Sequence, residues 1–103
     1  MNDRHKQYKV VVHDEAAEML YSHIKFLTKV SVPAARKLRA ALQKGMSSLN
    51  SMPHRCPIFK THSTSNVYRQ LVIGRYIALY SIDEINGIVN INHILDTRQD
   101  NDI

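Results

Sequence analysis

The chain has 103 residues, enough for one domain with one modest core, and 44% of them are apolar, too many for a disordered tail. Its net charge of +5 is uneven: residues 1–66 carry +7 and residues 67–103 carry −2, so the first part would suit an acidic protein or a nucleic acid. No apolar run approaches the roughly 20 residues that span a bilayer, the N-terminus lacks the apolar stretch of a secretory signal, and the single cysteine, Cys56, excludes an internal disulfide. The expectation is therefore a single domain over residues 1–103 in a reducing cytoplasm, with residues 1–6 a disordered tail and no membrane partner.

Tyr8-Lys-Val-Val-Val-His13 is a short β-branched run and reads as a first strand. Asp14 stands where an N-cap belongs, with Glu15 and Glu18 in the first turn behind it. Ala16, Leu20, Ile24 and Leu27 follow at helical spacing, and Met19, His23, Phe26 and Val30 widen the stripe, which predicts a helix over about 15–29. Ser31-Val-Pro-Ala then opens a second helix, with Ser31 as N-cap and Pro33 in the first turn. Ala35, Leu38, Leu42 and Leu49 mark its buried side, with Ala41 and Met46 beside them. Arg36, Lys37, Arg39 and Lys44 form its outer face, and no acid occurs between Ser31 and Ser51 to pair with them locally. Gly45 weakens this helix by about 1 kcal/mol relative to alanine, and a close approach to the first helix would account for it. The short linker favours an antiparallel helical hairpin.

Pro53 ends the second helix, and residues 53–65 read as a loop. Three strands follow, over 66–73, 75–82 and 88–95, separated by Ile73-Gly74 and by Asp83-Glu-Ile-Asn-Gly87. These are hairpin signals, so the strands form an antiparallel meander that ends on the charged stop Asp96-Thr-Arg-Gln-Asp100. The order is β-α-α-β-β-β: an α+β fold in which the helical hairpin covers one face of a small twisted sheet and leaves the other partly open. In the strand over 75–82, Arg75, Ile77, Leu79 and Ser81 alternate with Tyr76, Ala78, Tyr80 and Ile82, and only one row can face the helices. In the last strand, Val89, Ile91, His93 and Leu95 share a row, and Asn90, Asn92 and Ile94 form an exposed one.

Arg69, Arg75 and Arg98 are the only cations after residue 66; their planar forks suit phosphate or carboxylate, against the alternative of ion pairs with Asp83, Glu84, Asp96 or Asp100. His93 can serve as an acid or base near neutral pH, although its parity with Val89 and Ile91 places it in a core or edge row. Tyr80 can stack on a base or donate a hydrogen bond, and as a strand aromatic it equally suits the core. His54, Cys56 and His62 match no four-ligand zinc spacing, and no base marks Cys56 as a nucleophile, so neither a metal nor a cofactor is expected.

Tyr8-Lys-Val-Val-Val, the Ala/Leu-rich helix pair, Leu49-Asn-Ser-Met-Pro53, Tyr68-Arg-Gln-Leu-Val, Gly74-Arg-Tyr-Ile-Ala-Leu-Tyr80 and His93-Ile-Leu-Asp-Thr-Arg-Gln-Asp100 together resemble the RelE/ParE toxin superfamily over about residues 7–100. The Gly-Arg-Tyr strand and the Ile-Leu-Asp-x-Arg-x-Asp ending are closer to the ParE-like branch. The resemblance implies the toxin of a bacterial type II toxin–antitoxin pair, associated with plasmid stabilisation and growth inhibition and neutralised by a small antitoxin. Operator DNA is then reached only through the antitoxin. ParE-like members poison DNA gyrase; RelE-like members cleave mRNA on the ribosome without a metal, using basic side chains on the open sheet face. Carried onto this sequence, Arg69 and Arg98 match two of those basic positions, whereas Leu71 and Ile77 stand where further cations are wanted, and no terminal aromatic acid/base region is expected. A ribonuclease would rest on Arg69, Arg98 and His93, with Arg75 in a variant site; a gyrase poison would bind its target through Arg69, Arg75, Tyr80 and Arg98. The antitoxin is expected on Arg36, Lys37, Arg39 and Lys44 and on Ile77 and Leu79. The resemblance favours the gyrase poison, with the mRNA endoribonuclease and a non-toxic antitoxin-binding relative as alternatives.

Overall fold

A computed structural model describes residues 6–60 and 67–98. Residues 1–5 of the expected tail, residues 61–66 with His62, and Gln99 and Asp100 of the charged stop lie outside the described residues. Strand β1 (Lys9–Val12) leads into helix α1 (Asp14–Val30) and helix α2 (Val32–Ser47). Two short 3-10 turns, Ser48–Asn50 and Pro53–Arg55, then lead to β2 (Ile58–Phe59), β3 (Tyr68–Ile73), β4 (Tyr76–Asp83) and β5 (Ile88–Asp96). The five strands form one sheet in the order β1-β5-β4-β3-β2; β1 runs parallel to β5 and every other pair is antiparallel. This is the expected α+β fold, with β2 added inside the segment read as a loop. Lys6, assigned to the tail, reaches Glu84 instead.

The His13 N–H still donates to the Ile91 carbonyl, so β1 pairing carries one residue further than the strand itself. His13 thereby becomes the N-cap and Asp14 the first helical residue, and no side-chain cap bond forms. Asp14 and Glu15 remain in the first turn, where the helix dipole favours acids. The linker between the helices is Ser31 alone. Its N–H closes α1 on the Leu27 carbonyl at 2.8 Å, and its Oγ accepts the Ala34 N–H at 3.2 Å as the expected cap of α2. One extended residue thus ends one helix and starts the next, which forces the hairpin.

The hairpin packs on the sheet through Ala16, Leu42 and Met46, joined by Leu49 of the following turn. These meet Tyr76, Ala78 and Tyr80 of β4 and Val89, Ile91 and Ile94 of β5. Three expectations about this packing fail. Ala41 is exposed. Phe26 and Val30 are exposed because β5 ends at Asp96, beside His23, and the later turns of α1 have no strand beneath them. Gly45 is needed not against α1 but against β3: a Cβ there would meet Ile73 Cδ1 at 2.7 Å.

Gly74 (φ +60°) and Arg75 form a two-residue β3–β4 loop, with glycine where a right-twisted hairpin wants a positive φ. β5 departs from strict alternation. Leu79 pairs with His93, but Tyr80 pairs with Ile91, so Asn92 is an extra residue in a β-bulge. Beyond it the parity is inverted: Ile94 and Asp96 join Val89 and Ile91 on the helix side, and His93 and Leu95 turn to the open face. The single core row Val89-Ile91-His93-Leu95 is therefore corrected, as is the exposure of Ile94.

Candidate functional site

The bulge delivers Asp96 to the end of the sheet on the helix side, where it is 2% exposed and the one charged residue buried among those described. The β3–β4 loop brings Arg75 there, the residues after β5 bring Arg98, and α1 brings His23. Arg75 Nε lies 3.8 Å from Asp96 Oδ1; Arg98 Nη2 and His23 Nδ1 each lie 3.7 Å from Oδ2. The Arg98 main-chain N–H donates to Oδ1 at 2.9 Å. Tyr76 completes the cluster: its hydroxyl is 3.4 Å from His23 Nδ1, Arg75 Nη2 donates to it at 3.4 Å, and the Arg75 guanidinium lies over its ring. The loop is pinned because the Thr97 N–H and hydroxyl both donate to the Arg75 carbonyl, at 2.8 and 2.7 Å. Burial pushes the Asp96 carboxyl up, but the Arg98 N–H and the charges of Arg75, Arg98 and His23 outweigh it and hold the group below the usual carboxylate range. A groove of about 530 Å³ opens beside the cluster, lined by Ser22, His23, Phe26, Asp96 and Arg98.

Two of the expected target-binding arginines, Arg75 and Arg98, thus stand together. Arg69 does not join them. It shares the helix face with Leu71 and donates to the carbonyls of His54 and Cys56 at 3.2 and 2.6 Å. Arg55 caps the same segment, donating to the carbonyls of Ser48, Ser51 and Met52 and to the Ser48 hydroxyl. Met52 adopts a left-handed φ of +50°, and the turn carries the Pro53 carbonyl to the Tyr80 hydroxyl at 2.6 Å. Arg69 is a clip for this segment, so Arg69→Met should lower the unfolding free energy by about 2 kcal/mol, less than the roughly 3–6 kcal/mol of two full-strength hydrogen bonds from a charged donor because one of the two is exposed to water, as read by urea denaturation. Tyr80 is fully buried and offers no surface to a target.

On the open face, Tyr68 of β3 and His93 of β5 meet ring to ring with centroids 5.8 Å apart. Their strands are two spacings apart, roughly 9.6 Å, so the rings lean over β4 and cover Leu79, which is 5% exposed. Leu79 is therefore closed to an antitoxin as the face stands, whereas Ile77 is half-buried on the same row. His93 Nδ1 lies 3.7 Å from Glu15 Oε1. Arg36, Lys37, Arg39 and Lys44 are all exposed on α2 and have no ion pair among the described residues. No group of three or more metal-ligating side chains is present among the described residues.

At the opposite end of β4, Glu84 accepts from the Tyr8 hydroxyl at 2.9 Å, hydrogen-bonds His54, and pairs with Lys6 at 3.6 Å. The Tyr8 hydroxyl first, and after it His54 and Lys6, hold its carboxyl below the usual range against the opposing effect of burial. These contacts tie the start of the chain and the 53–55 turn to the β4–β5 loop. The ion pairs of Arg75 and Arg98 with Asp96 realise the alternative offered for these arginines, whereas sequence reasoning missed the part of His23 and the Glu84 cluster. A usable signal for the first was the place of His23 as a polar residue inside the apolar stripe of α1, which had to find a partner at the sheet.

Residues 10–101 match the family described as the ParE toxin of the type II toxin–antitoxin system parDE. The fold is similar to that of the archaeal RelE–RelB complex from Pyrococcus horikoshii OT3, with a TM-score of 0.60 and 17% identity over 88% of this chain and 96% of that one. It is similar also to the toxin–antitoxin complex RelBE2 of Mycobacterium tuberculosis, with a TM-score of 0.63 and 19% identity over 92% of this chain and 97% of that one. No curated protein matches the sequence at a significant level. No helix among the described residues is long and apolar enough to cross a membrane.

Proposed function

The chain belongs to the ParE toxin family of type II toxin–antitoxin systems, and from that membership we propose that it arrests growth by poisoning DNA gyrase and is neutralised by a cognate antitoxin. The observation that carries the choice of target is the open face of the sheet. Metal-free RNA cleavage needs cations fixed around the scissile phosphate, because charge builds on the phosphoryl oxygens in the transition state. The open-face rows hold Lys9 and Val11 on β1, Tyr68, Gln70 and Val72 on β3, Ile77, Leu79 and Ser81 on β4, and Asn90, His93 and Leu95 on β5. Among the described residues no lysine or arginine stands on the three central strands of this face, where Lys9 of the edge strand β1 is the lone one, Ile77 stands at the arginine position of the cleaving branch, and Arg69 is turned to the other face. A poison that binds its target needs a shaped surface, and the Arg75–Asp96–Arg98 end of the sheet with Phe26 beside it offers one.

The antitoxin reading is supported by the solved RelE–RelB complexes of the same fold and by the unpaired cations Arg36, Lys37, Arg39 and Lys44, which suit an acidic segment laid along α2. The toxin works in the cytoplasm, where gyrase acts, and meets operator DNA through the antitoxin only.

Purified chain added to gyrase, ATP and supercoiled plasmid should trap cleavage complexes that denaturant and protease convert to linear DNA. Ribosomes programmed with mRNA should leave the message uncut at the same concentration. Codon-phased mRNA cleavage with intact DNA would overturn the gyrase reading. Normal growth on overexpression without the antitoxin would point instead to a non-toxic antitoxin-binding relative.

A further inference from the structure

The charge of the Asp96 cluster does not cancel. Among the described residues one carboxylate faces two guanidinium groups, so these groups carry +1 with His23 neutral and +2 with it protonated. The attraction is also loose. The Arg75, Arg98 and His23 side chains lie 3.7–3.8 Å from the carboxylate oxygens, outside hydrogen-bonding distance, and among the described residues the single close donor is the Arg98 main-chain N–H. The buried carboxylate therefore positions the guanidiniums without consuming their N–H groups. The Arg75 side chain is 38% exposed and that of Arg98 60%, so both can turn donors outward. Each guanidinium carries five N–H donors in a fixed fork that matches an oxyanion.

The surroundings say which oxyanion fits. A nucleic-acid strand wants a track of cations following its backbone. Here the rest of the groove lining is Ser22, His23 and Phe26. Phe26 is 68% exposed, and Val30, one turn further along α1, is equally open. A point of positive charge beside an aliphatic and aromatic ridge fits a side-chain carboxylate flanked by apolar residues.

We propose that Arg75 and Arg98, held by Asp96, form the receptor for an acidic side chain of an apolar partner segment that packs on Phe26, and that protonation of His23 strengthens this grip. The inference rests on the toxin reading only in naming the partner segment as the antitoxin's; it does not depend on the cellular target.

The proton link follows from the groups around His23. The described charged and titratable groups facing it are Tyr76 of β4, Asp96 of β5, and Arg75 and Arg98 at the sheet end. Neutral His23 can accept the Tyr76 hydroxyl proton at Nδ1, 3.4 Å away. Protonated His23 becomes a donor there and turns to Asp96 Oδ2. The Asp96 charge is then offset from the α1 side, and the incoming carboxylate meets a more positive site. Affinity should rise as pH falls and His23 takes up its proton.

The test uses the full chain, isotope-labelled, with the Arg75 and Arg98 side-chain Nε–H signals followed by NMR. The probe is an acetylated and amidated peptide, Leu-Glu-Leu-Leu-Glu-Leu, compared with its Gln counterpart and with an eight-residue oligothymidylate. The Glu peptide should shift both arginine signals and bind roughly fivefold or more tightly at pH 5.5 than at pH 7.5, in the range of one added charge near a partly exposed site. Arg98→Ala should weaken it about tenfold and Arg98→Lys less, since lysine keeps the charge and loses the fork. His23→Gln should still bind the peptide but lose the pH dependence. Equal binding of the Glu and Gln peptides, or tighter binding of the oligonucleotide, would refute the carboxylate receptor. Retained pH dependence in His23→Gln would refute the proton link. All of these readouts stand apart from the gyrase assay, so either reading can fail alone.

Discussion

Replacing Tyr80 with alanine should remove about 3–5 kcal/mol of stability, the usual cost of emptying a core aromatic site. Against a typical total of roughly 5–15 kcal/mol, this is the most damaging single substitution expected in the chain. Tyr80 is fully buried at the centre of the core and also anchors the segment after α2 through the Pro53 carbonyl. Tyr80→Phe separates the two roles. It keeps the ring and orphans a buried carbonyl, which should cost about 1–3 kcal/mol. The phenol also predicts a pH signature. Burial first, and then the Cys56 thiol beside it, push the Tyr80 pKa well above the ordinary tyrosine value, against smaller opposing effects of Arg55 and Arg69. In the unfolded chain the phenol loses its proton near pH 10, while the folded protein keeps it. Above that pH the unfolded state binds fewer protons, so stability is complete below about pH 10 and falls as pH rises toward the folded value. Urea denaturation from pH 8 to 11 should show this alkaline loss in the parent chain, and a shallower one in Tyr80→Phe.

Tyr80 was expected at the target surface and Arg69 in the catalytic set, and both proved to hold the same short segment in place. That outcome bears on mechanism. With Arg69 clipped to the carbonyls of His54 and Cys56 and with Ile77 on the open face, the positions carried over from the cleaving branch do not share a surface. Arg75 and Arg98 do share one, and they share it with His23 and Phe26 of α1. The expected target-binding arginines that stand together are therefore at the end of the sheet, where helix, loop and last strand converge, and not on its open face.

Local signals made most of the fold legible. Helical spacing gave both helices, the serine at position 31 gave its own cap, and the two breaks between strands gave the meander. In β4 the choice between its two rows was left open, and packing chose Tyr76, Ala78 and Tyr80 for the core. β5 was misread beyond Ile91 because a bulge is a backbone event: nothing about Asn92 marks it as the extra residue, yet it exchanges the faces of His93 and Ile94. β2 escaped notice because a two-residue strand has no alternation to detect. Arg69 was misplaced because the face a strand residue takes depends on the register of the sheet against the core, which composition does not encode. The union of His23 with Asp96 was hidden for a related reason. The two are far apart in the chain, and one of them reaches the core side only through that bulge.

Asp96→Asn should isolate what this carboxylate contributes. Asparagine keeps the volume and can still accept the Arg98 N–H that Asp96 Oδ1 holds at 2.9 Å; it removes the charge shared by Arg75, Arg98 and His23. Breaking a fully buried ion pair costs about 3–5 kcal/mol. Here both guanidiniums are partly exposed and can rehydrate, so about 2 kcal/mol is the expected loss, or roughly 10 °C in melting temperature for a domain of this size. The sign with pH is opposite to that of Tyr80. Because the folded carboxyl titrates below its unfolded value, its contribution is complete above the ordinary aspartate pKa near 4. It disappears as pH falls through the lowered folded value, since the unfolded state takes up its proton first. Unfolding measured from pH 6 to 2 should show part of the parent's acid loss missing in Asp96→Asn. Part should remain, because Asp83, bonded to Asn86, and Glu84, bonded to Tyr8, are also held below their usual range. The same substitution removes the negative charge that opposes an incoming carboxylate, so a chain that is less stable should hold an acidic peptide more tightly at neutral pH. A purely structural ion pair predicts the loss of stability without that gain.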